Sequence, residues 1–315
     1  MADDWTDPAW LAEVRAWVDE RLTSLGTTRS GEVEQPHVEP WSTVLRVPTG
    51  LGPVWFKATT ASLRHEASTV ALLARRAPDR VPPLLAADPD RGWMLMADAG
   101  ERLREVVARE RSLAHWHDAL EGVAWVQLAC TRDVEELLAA GVPDRRLPLL
   151  AEQYDALLAG LDVDPRYRSA APLVERLAAD LAAYGLPDSV QHDDLHDAQV
   201  FLRPGGDGPA LLMDWGDACV THPFLVLAVP LRGVIAWGLD DEEDAVDTAP
   251  YRESYLGPWA AARPDLGPDA LRDAADLATR LGWACRAVNG HVPGDLRSTE
   301  LRLRMFLDGR VTEDP

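Results

Sequence analysis

The hydrophobic pattern changes character near Gly100, and this change constrains the fold more than any other feature of the sequence. Before it, residues 32–59 are rich in β-branched and aromatic residues, and "VPPLLAADPDRGWMLMADAG" holds two apolar runs around a Pro- and Gly-containing turn. Runs of this kind between turn residues predict strands. After Gly100, apolar residues recur with helical spacing through most of the chain. The sequence therefore predicts an α+β fold, with a small antiparallel-sheet lobe followed by a larger helical lobe.

Three local signals refine this outline. The segment "DPAWLAEVRAWVDERLTSLG" predicts a helix that Asp7 caps, that has Pro8 in its first turn and that ends before Gly26. A second helix is expected over residues 62–76, between two pairs of strands. Further along, the apolar runs "AQVFLR" and "ALLMDW" flank "PGGDGP", which is typical of a β-hairpin inside the helical part.

The net charge limits the partners of the chain. Lys and Arg total 31 and Asp and Glu total 52, so the net charge is −21. Such a surface repels nucleic acid and anionic membranes. It would attract a cationic small-molecule substrate, although solubility alone explains the charge equally well.

Several further features favour a reduced, cytoplasmic protein. Cys130, Cys219 and Cys285 are far apart in sequence and form no CxxC pair, which predicts free, mostly buried thiols. No apolar run is long enough for a transmembrane helix. The acidic N-terminus "MADDWTDPAWLAEV" does not have the pattern of a secretion signal.

The residues that carry chemistry occur in a fixed order. Lysine is scarce, and Lys57 lies in the strand "VWFKA"; Glu66 follows in the helix "LRHEASTVALL". The segment "QHDDLH" contains His192 and Asp194, and "LLMDWGDA" contains Asp214. By itself the histidine- and aspartate-rich segment fits a metal cluster, a solvated charge run or a catalytic loop. Zinc is disfavoured because no HExxH pattern occurs and the segment reads as a loop.

In this order, the motifs resemble the aminoglycoside phosphotransferase and choline kinase family, small-molecule relatives of the protein kinases. The family loop commonly reads His-Gly-Asp-Leu-His-Pro-Gly-Asn, and Asp214-Trp215-Gly216 corresponds to the kinase Asp-Phe-Gly. The resemblance implies a protein-kinase-like, two-lobed fold, with a nucleotide-binding lobe over residues 1–97 and a catalytic and substrate lobe over 98–315. It also implies transfer of the γ-phosphate of ATP, with Mg²⁺, to a hydroxyl of a small molecule; GTP is not excluded.

The resemblance assigns a role to each motif residue. Lys57 would hold the α- and β-phosphates, and Glu66 would pair with Lys57 to fix its direction. Asp194 would accept or orient the proton of the acceptor hydroxyl, and His192 would hold this catalytic loop by hydrogen-bonding the backbone. Asp214 would bind Mg²⁺.

The chain departs from the family pattern around the catalytic loop. Gln199 stands where a metal-binding Asn is usual, so the amide oxygen is one methylene further out. Asp193 and Asp197 replace Gly and Pro; Asp197 could supplement the metal site, but we expect both carboxylates to face solvent. Val226 stands where relatives often have an Asp that braces the loop, which leaves the support of the loop unexplained.

The remaining nucleotide contacts are expected on loops. In place of a Gly-rich loop, Ser42 and Thr43 could offer hydroxyl or backbone N–H groups to phosphate. The hinge "LMADAG" would place the backbone around Ala97 and Ala99 against the base. The acidic segment "LDDEED" at 239–244 favours an aminated acceptor, such as an aminoglycoside, amino sugar or amino alcohol, although a solvated helix start explains it as well. Two alternatives are a non-catalytic nucleotide-binding module and a protein kinase; the missing Gly-rich loop and Ala-Pro-Glu motif disfavour the kinase.

Overall fold

The first part of the chain folds into an antiparallel sheet that packs between two helices. The structure is a computed structural model that describes residues 4–203, 205, 208–235 and 246–309. The sheet consists of β1 (Glu34–Val38), β2 (Ser42–Thr49), β3 (Gly52–Thr59), β4 (Leu84–Asp88) and β5 (Trp93–Ala97), and the helices are α1 (Pro8–Ser24) and α2 (His65–Arg76). The strands lie in the order β1-β2-β3-β5-β4.

Helix α1 covers one face of this sheet. The Asp7 side chain accepts a hydrogen bond of 3.1 Å from the backbone N–H of Ala9, which is the predicted cap. Trp17 packs edge-on against Phe56 and Trp93, with ring centroids 5.8 and 5.7 Å apart. This aromatic cluster fixes β3 and β5, and β3 carries Lys57.

Helix α2 begins at His65, three residues later than the predicted start at Ser62. A turn occupies residues 61–64, in which the backbone N–H of Leu63 bonds the carbonyl of Thr60. The turn aims the first turn of α2 at the sheet, so that Glu66 is buried beneath β3.

The rest of the described chain is mainly helical. Its elements are β6 (Glu101–Arg102), α3 (Leu103–Glu110), α4 (His115–Cys130), α5 (Val134–Ala139), α6 (Leu147–Ala159), α7 (Pro165–Arg168), α8 (Ala171–Ala182), β7 (Ser189–Gln191), β8 (Val200–Leu202), β9 (Leu211–Leu212), β10 (Cys219–Thr221), α9 (Ala249–Ala262), α10 (Pro268–Asn289) and α11 (Leu296–Asp308). The strands form two small sheets, in which β6 pairs with β8 and β8 with β9, while β10 pairs with β7. The predicted hairpin is therefore present as β8 and β9.

This architecture confirms the predicted α+β fold with a small sheet lobe and a larger helical lobe. The three cysteines are buried free thiols, as the sequence predicts. Within the described ranges, no helix combines the length and the apolar character needed to cross a membrane.

Candidate active site

Lys57 lies at the centre of the candidate site. It sits on β3, opposite Met94 of β5, and its side chain is buried. Its Nζ atom lies 2.7 Å from Glu66 Oε1 and 2.6 Å from Asp214 Oδ1. The predicted ion pair between Lys57 and Glu66 is therefore present, and Asp214 joins it from a segment that follows more than 150 residues later.

Lys57 is also the only lysine of the sequence, so 30 of the 31 basic residues are arginines. An ammonium is a compact point charge on a flexible stem, whereas a guanidinium is a planar fork. A chain that otherwise uses arginine throughout thus has a lysine where two carboxylates contact a single nitrogen atom.

The charges of this group depend on each other. Burial lowers the pKa of Lys57, but the carboxylates of Asp214 and Glu66 outweigh it and raise that pKa well above its usual value. Burial raises the pKa of Asp214, but Lys57 outweighs this and lowers it to about 2. For Glu66, burial wins over Lys57 and raises the pKa to about 6. The Lys57 ammonium thus contacts two carboxyl groups of unequal acidity, and Asp214 is the more acidic of the two.

The loop after β7 carries His192 and Asp194. His192 is buried, and its Nε2 atom donates a hydrogen bond of 2.6 Å to the carbonyl of Met213, the residue before Asp214. Its ring also packs against Trp215. These contacts join the candidate catalytic loop to the Asp-Trp-Gly segment, and they place His192 in the loop-holding position that the resemblance implies.

Asp193 and Asp197 do not face solvent, and that expectation is wrong. Asp193 has a left-handed backbone with φ of 62°, which Asp tolerates better than most residues and Gly best of all. Its carboxylate accepts hydrogen bonds from Gln191 Nε2 at 3.1 Å and Asn289 Nδ2 at 2.9 Å. The side chain of Asp197 is 1% exposed and pairs with Arg104. Both carboxylates are structural, because partners from distant elements replace the water that a loop carboxylate would normally bind.

Asp194 is held by a residue that sequence reasoning missed. Arg286 of α10 donates to Asp194 Oδ1 and to the backbone carbonyl of Asp193. The other carboxylate oxygen, Oδ2, lies 3.7 Å from His196 Nε2. An arginine inside the apolar run "GWACRAVNG" was the available signal, since a buried charge requires a partner.

Gln199 lies beside Asp214, as its predicted role as a metal ligand requires. Its Nε2 atom donates to Asp214 Oδ2 at 2.9 Å, so a rotation of the amide would bring its oxygen to the same side. The side chain of Asp214 is 47% exposed. A carboxylate and an amide oxygen are hard ligands of the kind that fit Mg²⁺.

The expected phosphate contacts of Ser42 and Thr43 are not supported for their hydroxyl groups. Both residues are buried. The hydroxyl of Thr43 donates to the carbonyl of His37 at 2.8 Å and accepts from Gln35, while the Ser42 hydroxyl lies 3.3 Å from His37 Nε2. The hydroxyls are used inside the sheet because β1, which pairs with β2, covers them.

The other expectations divide between the hinge, the brace and the acidic segment. Ala97 ends β5, and its backbone N–H donates to the carbonyl of Pro83, so this N–H already has a partner within the protein. Ala99 is buried, and its place in the hinge stays a prediction. Val226 is buried in the apolar core, and no carboxylate stands at that position to brace the loop. The segment 239–244 lies outside the described residues.

The sheet lobe and the helical lobe have the arrangement of the kinase-like, two-lobed fold. No protein-family model and no curated protein matches this sequence. Solved structures do match. One is the macrolide 2'-phosphotransferase MphH from Brachybacterium faecium, with 16% identity and a TM-score of 0.60 over 94% of this chain and 99% of that chain.

Two further structures share the fold at similar distance. The GDP complex of aminoglycoside 2'-phosphotransferase-IIIa has 14% identity and a TM-score of 0.59 over 93% of this chain and 97% of that chain. A Plasmodium vivax ethanolamine kinase has 8% identity and a TM-score of 0.61 over 89% of this chain and 84% of that chain. At the level of the fold, these structures confirm the resemblance predicted from the sequence motifs.

Proposed function

We propose that the protein transfers the γ-phosphate of ATP to a hydroxyl group of a small molecule. The observation that carries this proposal is the convergence of Lys57, Glu66 and Asp214 within hydrogen-bonding distance, beside the loop that carries Asp194. Phosphoryl transfer requires charge neutralisation and in-line positioning more than covalent help from the protein. A buried lysine fixed by a buried glutamate, next to a partly exposed aspartate, supplies both.

Each residue would contribute a separate part. Lys57 keeps Glu66 as its anchor and exchanges Asp214 for phosphate oxygens when the nucleotide binds. A Mg²⁺ held by Asp214 and Gln199 would supply further neutralisation of the phosphate charge. The geometry of Asp214 supports this division, because its side chain is partly exposed and its Oδ2 atom lies beside Gln199 while Oδ1 contacts Lys57.

Asp194 would serve the acceptor. The acceptor oxygen forms a bond to the γ-phosphorus while the bond from that phosphorus to the bridging oxygen of the leaving diphosphate breaks. The hydroxyl proton moves to Asp194, which also orients the hydroxyl for in-line attack.

The nature of the acceptor is a finer part of the proposal. The net charge of −21 would concentrate cations around the protein, which favours an aminated acceptor. The similar structures include enzymes named for aminoglycosides, macrolides and ethanolamine, so one fold serves several acceptors. The nucleotide is ATP in our proposal, with GTP as the alternative that the GDP complex suggests. A cytoplasmic location would supply both nucleotides.

A screen of acceptors tests the proposal. The purified protein is incubated with Mg²⁺ and either ATP or GTP in the presence of aminoglycosides, macrolides, amino sugars, neutral sugars and amino alcohols. Diphosphate release and the mass of the acceptor are measured, since transfer adds one phosphoryl group. The matched control is Asp194→Asn, which keeps the size of the side chain and removes its charge.

An acceptor that gains a phosphoryl group with the native protein and not with Asp194→Asn supports the function. Nucleotide binding without any transfer across the screen would contradict it and would favour the non-catalytic nucleotide-binding module.

A further inference from the structure

Arg286 reaches the candidate catalytic loop from helix α10. Its guanidinium donates to the side chain of Asp194 and to the backbone carbonyl of Asp193. We propose that Arg286 is a positioning residue for Asp194, which fixes one carboxylate oxygen and leaves the other to the acceptor hydroxyl. This inference rests on the proposed function.

The shape of the contact supports orientation rather than simple charge balance. A guanidinium is a rigid planar fork, so its two bonds fix the position of Asp194 Oδ1 relative to the backbone carbonyl of Asp193. Oδ1 is bound to Arg286, whereas Oδ2 is 3.7 Å from His196 Nε2, which is longer than a hydrogen bond. Within the described part of the chain Oδ2 accepts no direct hydrogen bond, so it is the oxygen that can receive a hydroxyl group.

A second residue on the same helix holds the loop backbone. Asn289 follows Arg286 by three positions and therefore shares its face of α10. Its Nδ2 atom donates to Asp193 Oδ2 at 2.9 Å and to the carbonyl of Asp217 at 2.8 Å, and its Oδ1 atom accepts from Arg145 at 3.1 Å. The left-handed backbone of Asp193, which directs the next residue, is thus clamped through both its carboxylate and its carbonyl.

Helix α10 itself is fixed against the neighbouring segment. At Gly282, one turn before Arg286, an added Cβ would lie 2.6 Å from both the Cβ of Ala228 and the carbonyl oxygen of Leu225. This close approach leaves no room for the helix to shift. Val226, which lacks the carboxylate that would brace the loop, lies in that same segment. The brace therefore comes from α10 instead.

The side chain of Arg286 is largely shielded from solvent, with 12% of its surface exposed. Burial lowers its pKa, but the carboxylates of Asp194, Asp193 and Asp217 outweigh this and raise it. The guanidinium is therefore held in its charged form, as a fixed element of the site would be.

The test uses ATP hydrolysis with Mg²⁺ and no acceptor, because water then replaces the unidentified acceptor. Native protein is compared with Arg286→Ala, Arg286→Lys and the matched control Arg280→Ala. Arg280 lies on the same helix and bonds the backbone carbonyl of Phe306 at 3.2 Å, so its loss reports general damage to α10. Nucleotide binding is followed by the shift of the melting temperature on addition of MgATP.

For Arg286→Ala we expect kcat to fall at least ~10-fold with a KM for ATP within twofold of native, since the nucleotide contacts are elsewhere. Millimolar guanidinium should restore part of kcat to Arg286→Ala and none to Asp194→Ala, because only the first variant lacks a guanidinium. Arg286→Lys keeps a positive charge beside Asp194, so no buried carboxylate is left unpaired. Its kcat should still fall at least ~10-fold, since an ammonium does not reproduce the planar fork of the guanidinium. Arg280→Ala should retain native kcat.

A kcat within twofold of native in either Arg286 variant would overturn the positioning role and leave the proposed function intact. Equal losses in Arg280→Ala and Arg286→Ala, with no guanidinium rescue, would also overturn it. If the native protein binds MgATP and neither hydrolyses nor transfers it, the proposed function fails and the positioning role fails with it.

Discussion

Replacing Lys57 by Met tests whether the buried ion pair organises the site. Glu66 is 2% exposed and Lys57 is 10% exposed, so Lys57→Met leaves a carboxylate buried without its cation. Breaking such a pair from one side costs about 3–5 kcal/mol. Asp214 also loses a partner, but it is 47% exposed and water compensates most of that loss. The expected decrease in the free energy of unfolding is therefore about 3–5 kcal/mol near pH 8.

Removing the carboxylate of Glu66 instead of Lys57 should lower the free energy of unfolding far less. Glu66→Gln keeps an oxygen that can accept from Lys57, and Lys57 keeps Asp214 as its counterion at 2.6 Å. The expected loss is about 1 kcal/mol. The double variant Lys57→Met/Glu66→Gln has no unpaired buried charge, so it should be more stable than Lys57→Met alone.

The effect of Lys57→Met should depend on pH. Burial raises the pKa of Glu66 to about 6 although Lys57 lowers it, so the pKa lies above 6 once Lys57 is gone. A carboxylate whose pKa is raised by folding contributes stability that is present below its unfolded pKa and lost as the pH rises through its folded pKa. The deficit of Lys57→Met against native should thus be smaller at pH 5 than at pH 8.

The measurement is urea denaturation at pH 5 and pH 8, followed by tryptophan fluorescence and by far-ultraviolet circular dichroism. The 12 tryptophans give a strong signal, and coincidence of the two probes checks that unfolding is two-state. The reasoning is refuted if Lys57→Met is as stable as Glu66→Gln at pH 8, or if its deficit is the same at both pH values.

Three other substitutions give separate expectations. Asp194→Ala should retain the melting-temperature shift caused by MgATP and lose at least ~10²-fold in transfer, measured with the acceptor found in the screen; near-native turnover would remove Asp194 from the mechanism. Gln199→Asn should lower the Mg²⁺ concentration that gives half-maximal rate, because the shorter amide matches the octahedral geometry of Mg²⁺ better; an unchanged Mg²⁺ titration would show that Gln199 is not a ligand. Gly282→Ala should lower the free energy of unfolding by about 1–3 kcal/mol, because the new methyl meets Ala228 and a carbonyl at 2.6 Å; thermal denaturation equal to native would show that α10 can move.

Local motifs of the chain were sufficient to locate the polar residues on β3, α2 and the two loops. Lys57 is the lone lysine and lies in an apolar strand, and His192, Asp194 and Asp214 stand in motifs that follow it in a recognisable order. The helix of residues 8–24 was predictable because its cap and its apolar face are encoded within one segment. The fold brings two of these residues, Lys57 and Asp214, into direct contact.

Partners across the fold were not predictable in the same way. Asp193 and Asp197 have the composition of a solvated loop, and only the packing of Asn289 and Arg104 against them makes them buried and structural. The hydroxyl of Thr43 looked available until β1 covered it. In each case the side chain has the same chemistry in either environment, so its neighbours decide its role.

The sequence by itself determined the two-lobed α+β fold and the residues that would perform the chemistry, because strand and helix periodicity and the order of motifs are properties of short segments. Only the tertiary structure decided how the loop of Asp194 is supported. Arg286 stands 92 positions after Asp194 and pairs with it because α10 packs closely at Gly282. A contact of that separation depends on the path of the chain through the helical lobe, which no short segment encodes.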